Sequence, residues 1–379
     1  MRNACLTLSI SLGTLLMTSQ PPARAWAGQH PAASSGVVST VGAAPENGST
    51  LRLEPVSRLR DIPADGIELR IPATAARDVS GRFLLPNGRD RSEILVFNPS
   101  GQLAQRIRTG DSSSPQRRMI QILDVDSEGR LHVLDAFAQQ HATYSQTLDL
   151  LDVQPVPVAM GYTGAAHLKD GSVVVNFAAW TPEHIGRPIR VVDPRGNLMR
   201  SIGDNGAAIR TDQSGLTQQR HIARAGETTF WAAHTNQYLI ELWDVDGTKV
   251  REVRREVPWF QPWATVPQRP NERPETRIVA LRRRGDGLLA VLLRKAADSW
   301  RTSLRPANDG RGGYLPSPPE GYWDTVVELL DETTGEVVAS ESFGAYLVAF
   351  AGDNHVVGHN EDAQGDPYVD IWRLSLNPR

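Results

Sequence analysis

The sequence predicts an all-β fold, a six-bladed β-propeller built of four-stranded blades, and three observations carry that prediction. Six segments share one phrase, an alternating apolar strand followed by a polar or Gly-containing turn: Glu93–Gly101, Leu148–Asp152, Ile189–Gly196, Ile240–Gly247, Val326–Gly335 and Val369–Arg373. Between them lie hairpins of a second kind, so that each pair supplies the four strands of one blade. No amphipathic pattern sustains a helix beyond a couple of turns. A small sheet cannot bury its apolar face alone, and repetition around a ring is the way such units cover one another.

From the N-terminus, Arg2, the apolar stretch Ala4–Met17 and the small-residue frames ending at Ala25 and Ala27 have the three-part layout of a secretory signal peptide. Residues 1–27 are therefore read as a signal peptide cleaved after Ala25 or Ala27, for a periplasmic or secreted protein with no membrane span in the mature chain. Cys5, the only cysteine, falls inside that segment. The mature chain then has no thiol, which removes disulfides, Cys-ligated zinc and cysteine nucleophiles. Residues 28–49 are rich in Ala, Ser, Gly, Thr and Pro and are read as a flexible linker, since little in them could repay ordering. Asn47-Gly48-Ser49 matches a glycosylation acceptor, but a three-residue match is frequent by chance.

Residues 50–379 are read as the propeller. Its inner hairpins are Ile120–Asp135, Ala165–Asn176, His221–Trp231, Ile278–Leu293 and Tyr346–Val357, with Arg77–Leu85 a degenerate first copy. Leu150, Val192 and Leu242, taken as equivalent, are 42 and 50 positions apart, and Leu329 to Ile371 is again 42. The interval from Leu242 to Leu329 is 87, but it holds one inner hairpin and two polar, Pro-rich stretches, Pro258–Arg277 and Ala296–Asp324, read as insertions in blade five. An open ring would leave unpaired strand edges. The segment Thr50–Leu59 is accordingly expected to pair with the final strand, Tyr368–Ser375, and close the last blade.

The recurrent phrase resembles the NHL-type six-bladed propellers. The resemblance is carried by Asp124–Asp135, by Val192–Asp204 and by Phe97–Gly101 with Gly110-Asp111. It implies architecture and not activity, because that family includes binding scaffolds, lactonases and lyases.

Net charge is −3 with both signs interspersed, which provides no electrostatic footprint for nucleic acid or an anionic membrane. Only three of the 40 basic residues are lysines, a bias of GC-rich bacterial coding sequences. Gly285-Asp-Gly287 lies in a hairpin and does not open a helix, so it is a turn and not a dinucleotide fingerprint. Asp124-Val-Asp126 and Asp244-Val-Asp246 resemble fragments of calcium loops but lack the downstream acidic ligand. His132, His141, His167, His184, His221, His234, His355 and His359 are spread over several blades, as a metal site in a propeller requires and as chance placement also gives.

Two sets of residues are candidates for a site. Asn87, Asp135, Asn176, His234, Arg294 and Asn360 each follow an apolar second strand, and they would form a polar ring over the channel if all pointed to one mouth. By resemblance to lactonase-like propellers such a ring could hold a divalent cation; solvated strand ends are the other reading. In the insertions, Trp259, Phe260, Trp263, Trp300, Tyr314, Tyr322 and Trp323 offer an aromatic contact surface, or else fold back over blade edges. Trp231, Trp243 and Trp372 lie in strands and are assigned to the core. Taken together, these features point to an exported binding module for a protein or small-molecule ligand, with no cofactor. The alternative is a metal-dependent, lactonase-like hydrolase or lyase working in the channel.

Overall fold

A computed structural model describes residues 37–41, 49–109, 118–156, 164–176, 187–203, 218–264, 272–306, 314–316, 319–362 and 364–377. The predicted signal peptide lies outside them. Two edge segments come first, β1 (Val37–Val41) and β2 (Thr50–Arg60). Blade one is β3 (Ala76–Arg77), β4 (Phe83–Pro86), β5 (Glu93–Phe97) and β6 (Leu103–Arg108). Blade two is β7 (Ile120–Val125), β8 (Leu131–Asp135), β9 (Gln140–Tyr144) and β10 (Leu150–Pro155). Blade three is β11 (Ala165–His167), β12 (Val173–Asn176), β13 (Ile189–Val192) and β14 (Leu198–Ile202), and blade four is β15 (Arg220–Arg224), β16 (Thr229–His234), β17 (Leu239–Asp244) and β18 (Lys249–Arg255).

Blade five runs β19 (Arg277–Arg283), β20 (Leu288–Ala296), then a small hairpin of β21 (Leu304–Pro306) and β22 (Tyr314–Pro316), the short α1 (Pro319–Tyr322), β23 (Trp323–Asp331) and β24 (Val337–Phe343). The second insertion is thus a decorated loop and not a seventh blade. Blade six is β25 (Leu347–Phe350), β26 (His355–Glu361) and β27 (Pro367–Asn377), and β2 completes it by antiparallel pairing from Thr50 opposite Asn377 to Arg60 opposite Tyr368. The ring closes as the sequence predicts. Within the stretch read as a linker, Val37–Val41 forms β1, which lies parallel to β18 on the edge of blade four.

The period-2 alternation of the strands explains how the blades stick together. In β4, Phe83 and Leu85 enter the core shared with blade six, and Leu84 enters the core shared with blade two. Every pair of neighbouring blades encloses such an apolar cluster, six in all among the described residues.

One register assigned from sequence is corrected. Leu148–Asp152 is not the third strand of blade two; β9 is, and Leu150 belongs to the outermost strand, β10. In blades one, three and four the turn between third and fourth strands is closed by a left-handed glycine whose N–H bonds back to Asn98, Asp193 or Asp244. Blade two makes the same turn with Leu148 at φ 70° and its N–H on the Ser145 carbonyl. A leucine at positive φ is rare, so no glycine marks the turn and the phrase is read one strand late.

Candidate functional site

The innermost strands carry small side chains, Ala165, Ala223, Ala280 and Ala349 among them, with Ala75 just before β3, and enclose a central channel cavity of about 750 Å³ to which all six blades contribute. At one end, where the turns between first and second strands gather, charged groups meet. Arg282 of β19 donates to Asp124 Oδ1 of β7 at 2.6 Å, across the channel, and from Nη2 to Asp353 Oδ1 at 3.4 Å. Burial alone would raise the Asp124 carboxyl, but Arg282 and His167 outweigh it and hold Asp124 well below the usual range. Burial likewise works against the Arg282 guanidinium, yet the facing carboxylates raise its pKa. Both charges are therefore kept at any physiological pH.

Beside this pair, the interface of blades two and three departs from the other five. Alternation sends Leu131 and Val133 of β8 toward blade one and His132 and Leu134 toward blade three. His132 stands opposite Thr143, so His141, two residues along β9, shares its face. From blade three, Ala166 and Leu168 turn toward blade four while His167 turns back toward blade two. The three imidazoles, each buried, stack upon one another: His132 on His167 at 4.1 Å between centroids and 12°, and His141 on His167 at 4.6 Å.

Polar groups surround this stack. Asp126 Oδ2 lies 3.1 Å from His132 Nε2, Gln154 donates to His141 Nδ1 at 2.7 Å, and Asp124 Oδ2 lies 3.8 Å from His167 Nδ1. The last distance is an ion-pair approach and not a hydrogen bond, and neither ring nitrogen of His167 has a hydrogen-bond partner. Burial, with neighbours His167 and His132, pushes the His141 pKa far down; burial and His132 push His167 down to about 4 against the pull of Asp124. Asp126, despite burial, is held well below the carboxylate range by His132 and Arg130. His141 and His167 are consequently neutral imidazoles at neutral pH. Asp124, Asp126 and His167 border the channel cavity, so the stack has a route to it.

The predicted polar ring exists as a set of equivalent strand ends, but most of its donors and acceptors are used inside the blades. Asn87 donates to the Gly66 carbonyl and to Glu93, and accepts from the N–H groups of Glu68 and Arg89. Asp135 Oδ1 accepts from the N–H groups of Met119, Phe137 and Ala138, and Asn176 Nδ2 donates to the carbonyls of Pro188 and Gln218. His234 meets Glu241 and Gln237, Arg294 donates to the Leu347 carbonyl while lying over Tyr346, and Asn360 donates to Asp370. Asn87, Asp135, Asn176 and Arg294 thus satisfy backbone groups where strands end, while His234 and Asn360 bond neighbouring side chains. The solvated-end reading is corrected as well, since Asn87, Asp135, Asn176 and His234 are buried.

The aromatic surface is also corrected. Phe260, Trp263, Trp300 and Trp323 are buried, while Trp259 and Tyr322 are half-buried against the cores they adjoin. The side chain of Tyr314 lies outside the described residues. Trp263 donates from Nε1 to the Thr276 carbonyl, Phe260 packs edge-on to Tyr238, and Arg277 lies over the Trp323 ring. These side chains fold back because large rings stabilise more by covering blade edges than by standing in water.

Among the described residues, the one group of three or more side chains able to hold a metal is His132, His141 and His167, whose ligand atoms lie within 4.8 Å of one another. All three were in the sequence-derived inventory of histidines, but their meeting was not. The signal available was the spacing of His132 and His141 across a short hairpin; nothing local brings in His167 from the next blade.

No protein-family model matches the sequence, and no curated protein sequence matches it. Among solved structures, a member of the DUF4221 family from Bacteroides vulgatus superposes with a TM-score of 0.60 at 11% identity, over 88% of this chain and 100% of the other. An inferred exported protein from Bacteroides fragilis gives 0.53 at 12% identity, over 90% of this chain and 100% of the other. At such identities the likeness shows the fold alone. No helix among the described residues is long and apolar enough to cross a membrane.

Proposed function

We propose that this chain is an exported six-bladed propeller, NHL-like in architecture, that acts as a binding module and takes a small polar ligand into the charged end of its channel. The observation that carries the reading is the cavity of about 750 Å³ with Asp124, Arg282 and Asp353 at its charged end. Its volume is that of a small-molecule site, and its lining mixes apolar with charged side chains that can orient a polar ligand. A small ligand is favoured over a protein partner because Phe260, Trp263, Trp300 and Trp323, which would have provided a protein contact, are buried. Export rests on the N-terminal layout, and intact mass of the mature protein beginning after Ala25 or Ala27 checks it.

The binding reading is tested by thermal shift against a panel of amino acids, hydroxy acids and sugar acids. A ligand that raises the melting temperature of the wild type should lose that effect in Arg282→Gln and in Asp353→Asn. No shift from any compound, or shifts unchanged in both variants, would count against the channel.

A further inference from the structure

We propose that His132, His141 and His167 form a binding site for a borderline transition-metal cation, Zn²⁺ as the type case, at the interface of blades two and three. The site does not depend on the channel taking an organic ligand.

Four observations converge. First, the donors come from three strands of two blades, β8, β9 and β11, and their ligand atoms lie within 4.8 Å of one another. Second, two outward ring nitrogens are already held by oxygen or amide groups, His132 Nε2 by Asp126 at 3.1 Å and His141 Nδ1 by Gln154 at 2.7 Å, while His167 Nδ1 faces Asp124 at 3.8 Å. That leaves His132 Nδ1, His141 Nε2 and His167 Nε2 as the inward set. Metal-bound histidines donate the far N–H to a carboxylate or carbonyl oxygen, as His132 does to Asp126; His141 meets this pattern when the Gln154 amide presents its oxygen instead of its nitrogen.

Third, the stack is costly without a cation. Buried polar atoms are nearly always hydrogen-bonded, yet both nitrogens of His167 lack hydrogen-bond partners. A cation on His167 Nε2 would satisfy one of those atoms. Fourth, three imidazole nitrogen donors suit Zn²⁺, Cu²⁺ or Ni²⁺, whereas Ca²⁺ and Mg²⁺ require oxygen ligands.

The ligand shell closes by small movements. His132 Nδ1 and His141 Nε2 are 2.9 Å apart, an N–H···N hydrogen bond in the metal-free arrangement. Tetrahedral zinc with bonds of about 2.0–2.1 Å sets its nitrogens about 3.3 Å apart. Binding therefore moves the His141 proton from Nε2 to Nδ1, where the Gln154 amide turns its oxygen to accept it, opens that pair by a few tenths of an ångström and tilts the parallel rings so that their lone pairs converge. The channel, which His167 and both aspartates border, is the entry path.

The test uses tag-free full-length protein stripped with chelator and titrated with Zn²⁺, with Mg²⁺ and Ca²⁺ in parallel. Expected are one equivalent of Zn²⁺ per chain, a melting temperature that rises with Zn²⁺ and not with the other two, and reversal by chelator. His141→Leu and His167→Leu should each weaken Zn²⁺ binding by 100-fold or more on the order of a lost ligand, and Asp126→Asn by about 10–100-fold. Should the leucine variants not fold, Co²⁺ in the wild type decides: a visible ligand-field spectrum of four- or five-coordinate cobalt supports the site, and a pale octahedral one opposes it. No stoichiometric Zn²⁺, or Zn²⁺ binding that survives both leucine changes, would overturn the assignment.

Discussion

Arg255 of blade four donates to Glu328 of blade five at 2.8 Å, with the two side chains 3% and 0% exposed. Tyr238 donates to the other carboxylate oxygen at 2.6 Å and Ser340 to the first at 2.8 Å, so the acid is held from both blades. A charge taken this far out of water is tolerated only while its partners stay in place. Glu328→Leu should therefore cost about 3–5 kcal/mol by removing the buried carboxylate that faces Arg255, while Arg255→Met combined with Glu328→Leu should recover most of that loss. Denaturant unfolding of both variants checks it. A double variant no more stable than the single one would show that the pair contributes directly to holding the blades together.

Ring closure gives a second expectation. β2 pairs with β27 along nearly its whole length and buries Leu51 and Leu59 in the cores on either side of blade six. Removing residues 1–48 takes away β1, a single added strand at the edge of blade four. Removing residues 1–60 takes away the strand that closes the ring and leaves β27 an exposed edge. The shorter truncation should melt close to the full chain, and the longer one should melt well below it or aggregate. Equal melting temperatures would show that β2 is dispensable.

Much of this architecture is legible in the sequence because period-2 alternation and turn residues act locally. Val326–Asp331 alternates between two cores and can be read without knowing its neighbours. The reading slips where the local rule is broken, as at Leu148, which occupies a glycine's conformation. It fails for the loops, because whether Trp263 stands in solvent or lies under Thr276 is decided by residues thirteen positions away and by the neighbouring blade. The histidine stack is illegible for the same reason. His132 and His141 share a face only once the register of β8 on β9 is known, and His167 joins them only when the blades are docked.

Acid should weaken the fold through His355. Burial, aided by the cations Arg77 and Arg373, pushes its pKa from 6.5 down to about 4 in the native state. Between those values the unfolded chain binds more protons than the folded one, so stability falls as pH falls. The contribution is fully present above about pH 6.5 and is lost by about pH 4. His355→Gln should flatten part of the decline between pH 7 and pH 4.5, measured as the change in melting temperature over that range. An unchanged slope would place the acid sensitivity elsewhere.

Asp135 is the residue whose expected behaviour the structure changes most. Read as a solvated strand end, its replacement by alanine would shift stability by no more than about 0.5 kcal/mol. Read as a cation ligand, it would govern metal affinity. Neither applies, because Asp135 Oδ1 accepts three backbone N–H groups, from Met119, Phe137 and Ala138, and the residue is 3% exposed. Alanine would strand those donors at the point where the chain enters blade two and where β8 turns toward β9. Each buried donor left without a partner costs about 1–3 kcal/mol, less whatever water can reach. Asp135→Ala should thus lose at least about 2 kcal/mol, and Asp135→Asn, which keeps an acceptor oxygen, should lose distinctly less. Metal content should be the same in both variants as in wild type, since the carboxylate lies outside the histidine stack. A neutral Asp135→Ala, or one that changes metal content with stability intact, would refute this role.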